Sequence, residues 1–171
     1  MSIQLDIQLA DDLPKSLEEP PSRRLLCLWA QTAWQGNDTA ESNLSLRIVS
    51  TVESQQLNHD YRGKNTSTNV LSFPMQMETD EPSISNLILG DLAICAEVVE
   101  REAQQQHIAL QAHWAHMVVH GMLHLQGFDH IQDSDAEQME KCETKIMLKL
   151  GFANPYLHKL SDTDDALRIE T

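Results

Sequence analysis

Hydrophobic and polar residues follow two periods along the chain, and each period predicts one type of element. Strict alternation at 3–9 and 44–50, and short apolar runs at 69–74 and 86–95, are typical of strands. Helical spacing predicts five helices, over about 22–36, 50–60, 96–107, 110–126 and 134–150. The order of these elements favours an α/β or α+β fold, in which about five helices cover a mixed four-stranded sheet.

Several polar residues mark where the predicted helices begin and end. Ser50 and Glu53 have the spacing of a capping box, which predicts a helix start. Gly36 is expected to close the first helix, because glycine commonly follows the last helical turn. Asp133 and Ser134 are candidate N-caps of the last helix.

The fourth strand and the tryptophans add detail to the predicted sheet and core. Gly90 interrupts the fourth strand and is a possible β-bulge. No helix separates the third and fourth strands, so we expect them to be antiparallel. Trp29, Trp34 and Trp114 have apolar neighbours within helical patterns, and we interpret them as core residues rather than stacking platforms for bases.

Length and composition indicate one soluble domain, predicted to span 1–160, with a disordered acidic tail at 161–171. No apolar run approaches the roughly 20 residues that span a bilayer, and the N-terminus lacks the basic and apolar regions of a secretory signal. Cys27, Cys95 and Cys142 are odd in number and show no C-x-x-C spacing, so we expect reduced thiols. These features predict a cytoplasmic protein.

The acidic charge balance weakens the case for a nucleic-acid partner. Twelve basic and 26 acidic side chains give a net charge of −14, whereas phosphate binding depends on lysine and arginine. The charge is uneven, however: residues 44–72 carry a net charge of +1, and an acidic segment at 76–85 is expected to be a loop. The overall charge therefore leaves a local phosphate site possible.

The segment HGMLHLQGFDH, at 120–130, predicts a metal site. His120 and His124 are four residues apart and lie on one helix face, where two imidazoles can converge on one ion. Gly127 tolerates the left-handed conformation that ends a helix, so the chain can turn and present His130 to the same ion. Three neutral imidazoles leave one tetrahedral position for water, as in a catalytic zinc site.

Metzincin proteases use the same histidine spacing, but with one difference. Their motif places the general-base glutamate directly after the first histidine, where this chain has Gly121. A peptidase or small-ester hydrolase is therefore the second interpretation. The remaining histidines are interpreted as satisfied surface or core residues: His59, His107, His113 and His158.

No general base is evident from the sequence. Asp129 adjoins a predicted ligand and is a candidate base or outer partner of the site, or alternatively a capping or surface carboxylate. His116 shares the histidine stripe and is a weaker candidate, with lining the cleft wall as its alternative role. Asp91 is a further weak candidate, whose alternative role is to satisfy the bulge.

Three segments together resemble the YbeY family of bacterial endoribonucleases, which are also described as rRNA maturation factors. They are HGMLHLQGFDH preceded by AHWAHMVV, LNHDYRGKNTSTNVLSFP, and LGDLAIC, and the similarity extends over about 45–156. The resemblance implies a zinc-dependent, single-strand-specific endoribonuclease that matures the 3′ end of small-subunit (16S) rRNA and acts in ribosome quality control. Single-stranded rRNA and the ribosome or small-subunit proteins are the implied partners, with neither a membrane nor DNA expected.

The resemblance also assigns roles to residues. It implies one Zn²⁺ per chain, held by the three histidines at 120, 124 and 130. Arg62 matches an arginine important for activity and would stabilise charge on the phosphate, with a solvated turn residue as its alternative role. Lys64 would help to seat the RNA backbone. Asn69 and Ser72 would line the substrate groove. A ribosome-associated factor with a purely structural zinc remains a third possibility, in which metal removal would unfold the chain.

Overall fold

The computed structural model describes residues 2–36, 41–75 and 88–157. The predicted acidic loop at 76–85, the tail at 161–171 and His158 lie outside the described residues. None of the helices in the described part of the chain has both the length and the apolar character needed to cross a membrane.

Within the described residues, four strands and five helices follow one another in the predicted order. The strands are β1 (Ser2–Leu9), β2 (Glu41–Val49), β3 (Val70–Pro74) and β4 (Ile88–Cys95). The helices are α1 (Arg23–Thr32), α2 (Thr51–Arg62), α3 (Ala96–Gln106), α4 (Leu110–Leu125) and α5 (Asp133–Lys149). The predicted fold class, a mixed four-stranded sheet with five helices, is confirmed.

The sheet has the strand order β1-β2-β4-β3, in which β3 is an edge strand. β1, β2 and β4 are parallel, and β3 is antiparallel to β4, as predicted. The predicted bulge is present, because Asn43 pairs with Ile88 while the next residue, Leu44, pairs with Gly90. Gly90 has a φ of 137°, and a Cβ atom there would lie 2.3 Å from the backbone oxygen of Phe73.

Helices cover both faces of this sheet, and successive strand residues point to opposite faces. On one face, α4 packs so closely that a Cβ atom on Gly121 would lie 2.8 Å from Leu92. On the other face, Leu57 of α2 packs against a smaller cluster that includes Leu71 and Ala93. Trp29 and Trp114 are buried, as predicted, in the larger core on the α4 side.

The predicted helix start is confirmed, because Ser50 is the N-cap of α2 and its hydroxyl accepts a hydrogen bond from the Glu53 backbone N–H at 3.2 Å. The Glu53 carboxylate pairs with Arg47 at 2.9 Å. The predicted end of α1 at Gly36 is wrong: the helix ends at Thr32. The Gln126 side chain, on a distant part of the chain, donates to the Ala33 carbonyl at 2.9 Å and thereby satisfies one of the free carbonyls at the helix end.

Two further predictions are corrected. Trp34 follows the end of α1 and is only half-buried, so it is not a core residue. Gln132, rather than Asp133 or Ser134, occupies the N-cap of α5, and its side chain makes no capping hydrogen bond. Asp133 instead lies in the first turn, where its negative charge suits the positive end of the helix dipole. The three cysteines form no disulfide.

Candidate metal centre

Helix α4 carries four histidines along one face. Their spacings of three, four and four residues place His113, His116, His120 and His124 in a row, because an α-helix turns once in 3.6 residues. Neighbouring rings in the row lie close together, with centroids 6.2 Å apart for the first two pairs and 4.6 Å apart for the last.

The turn after α4 brings a fifth histidine back to this row. The Phe128 N–H donates to the Leu123 carbonyl at 3.0 Å, and the Gly127 N–H donates to the His124 carbonyl at 3.1 Å. These two bonds form a Schellman motif, and Gly127 has the positive φ of 93° that the motif requires. The chain therefore reverses, and His130 approaches the end of the row.

The structure places the three predicted ligands together, and we call His120, His124 and His130 the histidine trio. Their ring centroids are 4.6 to 5.9 Å apart, and one nitrogen from each ring lies within 4.8 Å of the others. The Nε2 atoms of His120 and His124 are 3.1 Å apart. Small inward movements would bring three nitrogens to the roughly 2.0–2.1 Å that zinc requires.

The electrostatics of the trio also suit a cation. Burial, together with the neighbouring rings of His120 and His130, lowers the pKa of His124 to about 4. The imidazole of His124 is therefore neutral at physiological pH, which is the form that binds a metal. The residues present fit a metal ion, and the identity of the ion follows from neither the geometry nor the charge.

A buried carboxylate lies behind the trio. Glu143 of α5 is fully buried and accepts hydrogen bonds from His120 Nδ1 at 2.9 Å, from His116 Nε2 at 2.5 Å and from the Tyr156 hydroxyl. Burial alone would raise the pKa of Glu143, but the hydrogen bonds from His116 and His120 hold it at about 2. Burial and the Glu143 charge raise the pKa of Tyr156, which keeps its hydroxyl protonated.

Sequence reasoning missed Glu143, although α5 carries a signal. The buried residues of α5 are Met139, Glu143, Ile146 and Met147, which share one helix face. Glu143 is thus a charged residue at a core position of an otherwise amphipathic helix. A carboxylate at such a position needs a buried partner, which the histidine row of α4 supplies.

A second carboxylate pairs with the start of the row. Glu102 of α3 accepts from the buried His113 at 3.1 Å and from the Asn69 side chain at 3.0 Å. A cleft of about 390 Å³ lies beside the trio, and its lining includes Glu102, His113 and Asn69 together with His116 and His120. Asn69 and His116 therefore both line this cleft next to the trio. The role of Asn69 in a substrate groove stays a prediction.

The other predicted site residues are spread more widely. The Ser72 hydroxyl donates to the Gly121 carbonyl at 3.2 Å, which ties β3 to α4. Arg62 and Lys64 are exposed at the end of α2, the helix on the opposite face of the sheet. Within the described residues, Arg62 makes no hydrogen bond or ion pair to the trio, and its predicted role is untested.

The two carboxylates among the candidate bases occupy different places. Asp129 is exposed beside the trio, where its carboxylate accepts from the His130 N–H at 2.7 Å and its charge raises the pKa of His124 slightly against the larger effects that lower it. It does not cap α5. Asp91 lines a separate cleft on the α2 face of the sheet, with Arg47 and Tyr61, and so lies away from the trio.

Comparison with known proteins identifies the family. Residues 18–151 match the family described as Endoribonuclease YbeY. The chain belongs to this family. The resemblance seen in the sequence is thereby confirmed, and membership indicates a nuclease of the hydrolase class whose histidine groups could hold a metal.

The fold also occurs in a solved structure. The solution structure of TM1509 from Thermotoga maritima shares 22% sequence identity with this chain, over 93% of each chain, with a TM-score of 0.53. At this identity the likeness shows a shared fold, and the assignment to the family rests on the sequence match.

Proposed function

We propose that this protein is a zinc-dependent, single-strand-specific endoribonuclease that acts in rRNA processing, at the 3′ end of 16S rRNA, and in ribosome quality control. The convergence of His120, His124 and His130, in a chain that belongs to an endoribonuclease family, carries this proposal. One Zn²⁺ per chain, a cytoplasmic location and a single catalytic domain over 1–160 are parts of the same proposal.

Three protein ligands suit catalysis better than a purely structural role, since they leave a coordination position for water or substrate. Zinc bound there would lower the pKa of a water molecule toward 7 and polarise a phosphoryl oxygen. The chain contributes His124, whose imidazole stays neutral at working pH, and His130 is exposed, so substrate can reach the site. Asp129 is a candidate to accept the proton from the attacking water, since its carboxylate adjoins His130.

The groove for RNA would follow the cleft beside β3. Asn69 lines this cleft, and the segment between Arg62 and Asn69 connects it to the basic residues at the end of α2. Arg62 would donate two parallel hydrogen bonds to the phosphate, and Lys64 would attract the RNA backbone. Ser72 would act indirectly, by holding β3 against α4. Because the net charge is −14, we expect weak RNA binding by the isolated protein, with affinity increased by a ribosomal partner.

A peptidase is disfavoured by the packing of α4. The residue after the first histidine would have to be a glutamate, but a Cβ atom at Gly121 would already lie 2.8 Å from the Leu92 side chain of β4. Leu92 would have to move to admit the general base of a metzincin-like protease.

The test is cleavage of an end-labelled single-stranded RNA by the wild type and by His124→Ala, purified side by side. We expect zinc removal by a chelator to abolish cleavage, zinc addition to restore it, and His124→Ala to lower the rate by more than about 100-fold, beyond the usual cost of losing only an outer partner of a metal site. Equal cleavage by both proteins would show that the trio does not carry the activity and would contradict the proposal.

Arg62→Ala tests the phosphate contact, with Arg24→Ala as its control, because both arginines are exposed on helices. We expect Arg62→Ala to lower the cleavage rate by about 10²–10³-fold with unchanged zinc content. Equal rates for the two variants would remove Arg62 from the mechanism.

A further inference from the structure

His120 connects the histidine trio to the buried carboxylate. Its Nδ1 atom lies 2.9 Å from Glu143 Oε1, and its Nε2 atom lies 3.1 Å from Nε2 of His124. An ionised carboxylate can only accept hydrogen bonds, so the hydrogen of a neutral His120 must lie on Nδ1. The lone pair of Nε2 then faces the trio, where a metal ion would bind.

Glu143 is itself held in place from its other side. His116 Nε2 donates to Oε2 at 2.5 Å, and the Tyr156 hydroxyl donates to the same oxygen. The side chain of Glu143 is 1% exposed, and it has three donors on its two oxygens. It therefore has neither the space nor an alternative partner to turn away from His120. Tyr156 follows α5 and lies beyond the residues matched to the family.

We propose that Glu143 is a positioning residue of the metal centre, which fixes the tautomer and ring orientation of His120. His116 and Tyr156 hold the carboxylate, and through it they hold His120. Carboxylates that accept the second ring N–H of a metal-binding histidine typically contribute 10–100-fold in metal affinity. The inference deepens the proposed function and rests on the same metal site.

His116, His120 and Glu143 could instead hold an ion themselves, since their ligand atoms also lie within 4.8 Å of one another. The hydrogen-bonded geometry argues against this alternative. The oxygens of Glu143 already accept hydrogens from both rings at 2.5 and 2.9 Å, and an ion would have to displace these hydrogens. The two arrangements also differ in the number of ions bound per chain.

A second carboxylate–histidine pair, between α3 and α4, supplies a matched control. Glu102 accepts from His113 at 3.1 Å, as Glu143 accepts from His120, but His113 is not part of the trio. Glu102→Gln therefore perturbs a carboxylate–histidine pair between α3 and α4 and leaves the positioning of His120 intact. A purely structural role for these carboxylates would make Glu102→Gln and Glu143→Gln alike in zinc affinity.

The experiment is a zinc competition titration, against a chromophoric chelator, of the wild type, Glu143→Ala, Glu143→Gln, Tyr156→Phe and Glu102→Gln. We expect zinc binding to weaken by about 10–100-fold in Glu143→Ala. The loss should be smaller in Glu143→Gln, because the amide oxygen still accepts from His120, and smaller again in Tyr156→Phe. Glu102→Gln should bind zinc as tightly as the wild type.

A second readout reports directly on the ring. Imidazole ¹⁵N spectra of the metal-free protein should show His120 protonated at Nδ1 in the wild type and as a mixture of tautomers in Glu143→Gln. If Glu143→Ala fails to fold, the tautomer of His120 in the wild type and in Glu143→Gln still tests the positioning role of Glu143. Equal zinc affinity in the wild type and the Glu143 variants, or two zinc ions per wild-type chain, would overturn this inference alone. A wild type that binds no zinc would overturn the proposed function as well.

Discussion

The two ends of the histidine row on α4 show how neighbours decide what a histidine does. His113 and His116 donate to a carboxylate, Glu102 or Glu143, and lie outside the trio; we call these two the carboxylate-paired histidines. In the histidine trio, by contrast, His124 faces other imidazoles, and its Nε2 lies 3.1 Å from another ring nitrogen. A carboxylate satisfies a ring N–H, whereas converging lone pairs are best satisfied by a cation.

This difference predicts opposite effects of similar substitutions on folding and on metal binding. His116→Leu removes a hydrogen-bond donor from the fully buried Glu143, so we expect it to lower the free energy of unfolding by roughly 2–3 kcal/mol. His130→Ala removes an exposed side chain and should change the same quantity, in the metal-free protein, by less than about 0.5 kcal/mol. Urea unfolding with a chelator present measures the free energy of unfolding of both variants. Equal losses would contradict the difference between the carboxylate-paired histidines and the trio.

His124 and Glu143 should affect the stability of the fold over different ranges of pH. His124 titrates near pH 4 in the native protein and near 6.5 when unfolded, so between these values the unfolded chain binds the extra proton. The metal-free protein should therefore lose stability as the pH falls through this window, by at most about 1.4 kcal/mol per pH unit from this residue. Glu143, with a lowered pKa of about 2, stabilises the fold above about pH 4.3 and loses this effect only below it.

His124→Asn isolates the contribution of His124 to this dependence. Its urea-unfolding stability should fall less steeply than that of the wild type between pH 6.5 and 4, in the absence of metal. Parallel curves for the two proteins would show that His124 is not held neutral by its surroundings.

The smallest effect concerns the turn that completes the trio. Gly127→Ala places a side chain at a φ of 93°, although the space around it is open, so we expect a loss of about 1 kcal/mol from backbone strain alone. Zinc affinity should also fall, because the turn sets where His130 lies. Gly151→Ala is the control, since Gly151 has a similar φ of 89° and open space but ends α5 instead. Equal zinc affinity in Gly127→Ala and Gly151→Ala would show that the turn at Gly127 does not position His130 for zinc binding.

Local patterns were sufficient to predict the sheet, the helix order and the segment that carries the trio. Alternation, helical spacing and Gly127 are properties of neighbouring residues, and the family motifs are contiguous. Tertiary partners were not predictable in this way. Gln126 satisfies a carbonyl at the end of α1 from a distant part of the chain, and the core position of Glu143 on α5 does not reveal that its partners come from α4.

The central claim is that the trio, and not the carboxylate-paired histidines, binds the metal. The most direct test is the zinc content and zinc affinity of the wild type, His130→Ala and His113→Ala after metal removal and titration. We predict one zinc per chain for the wild type and for His113→Ala, and none bound tightly by the folded His130→Ala. Tight zinc binding by His130→Ala, or its loss in a folded His113→Ala, would contradict this account.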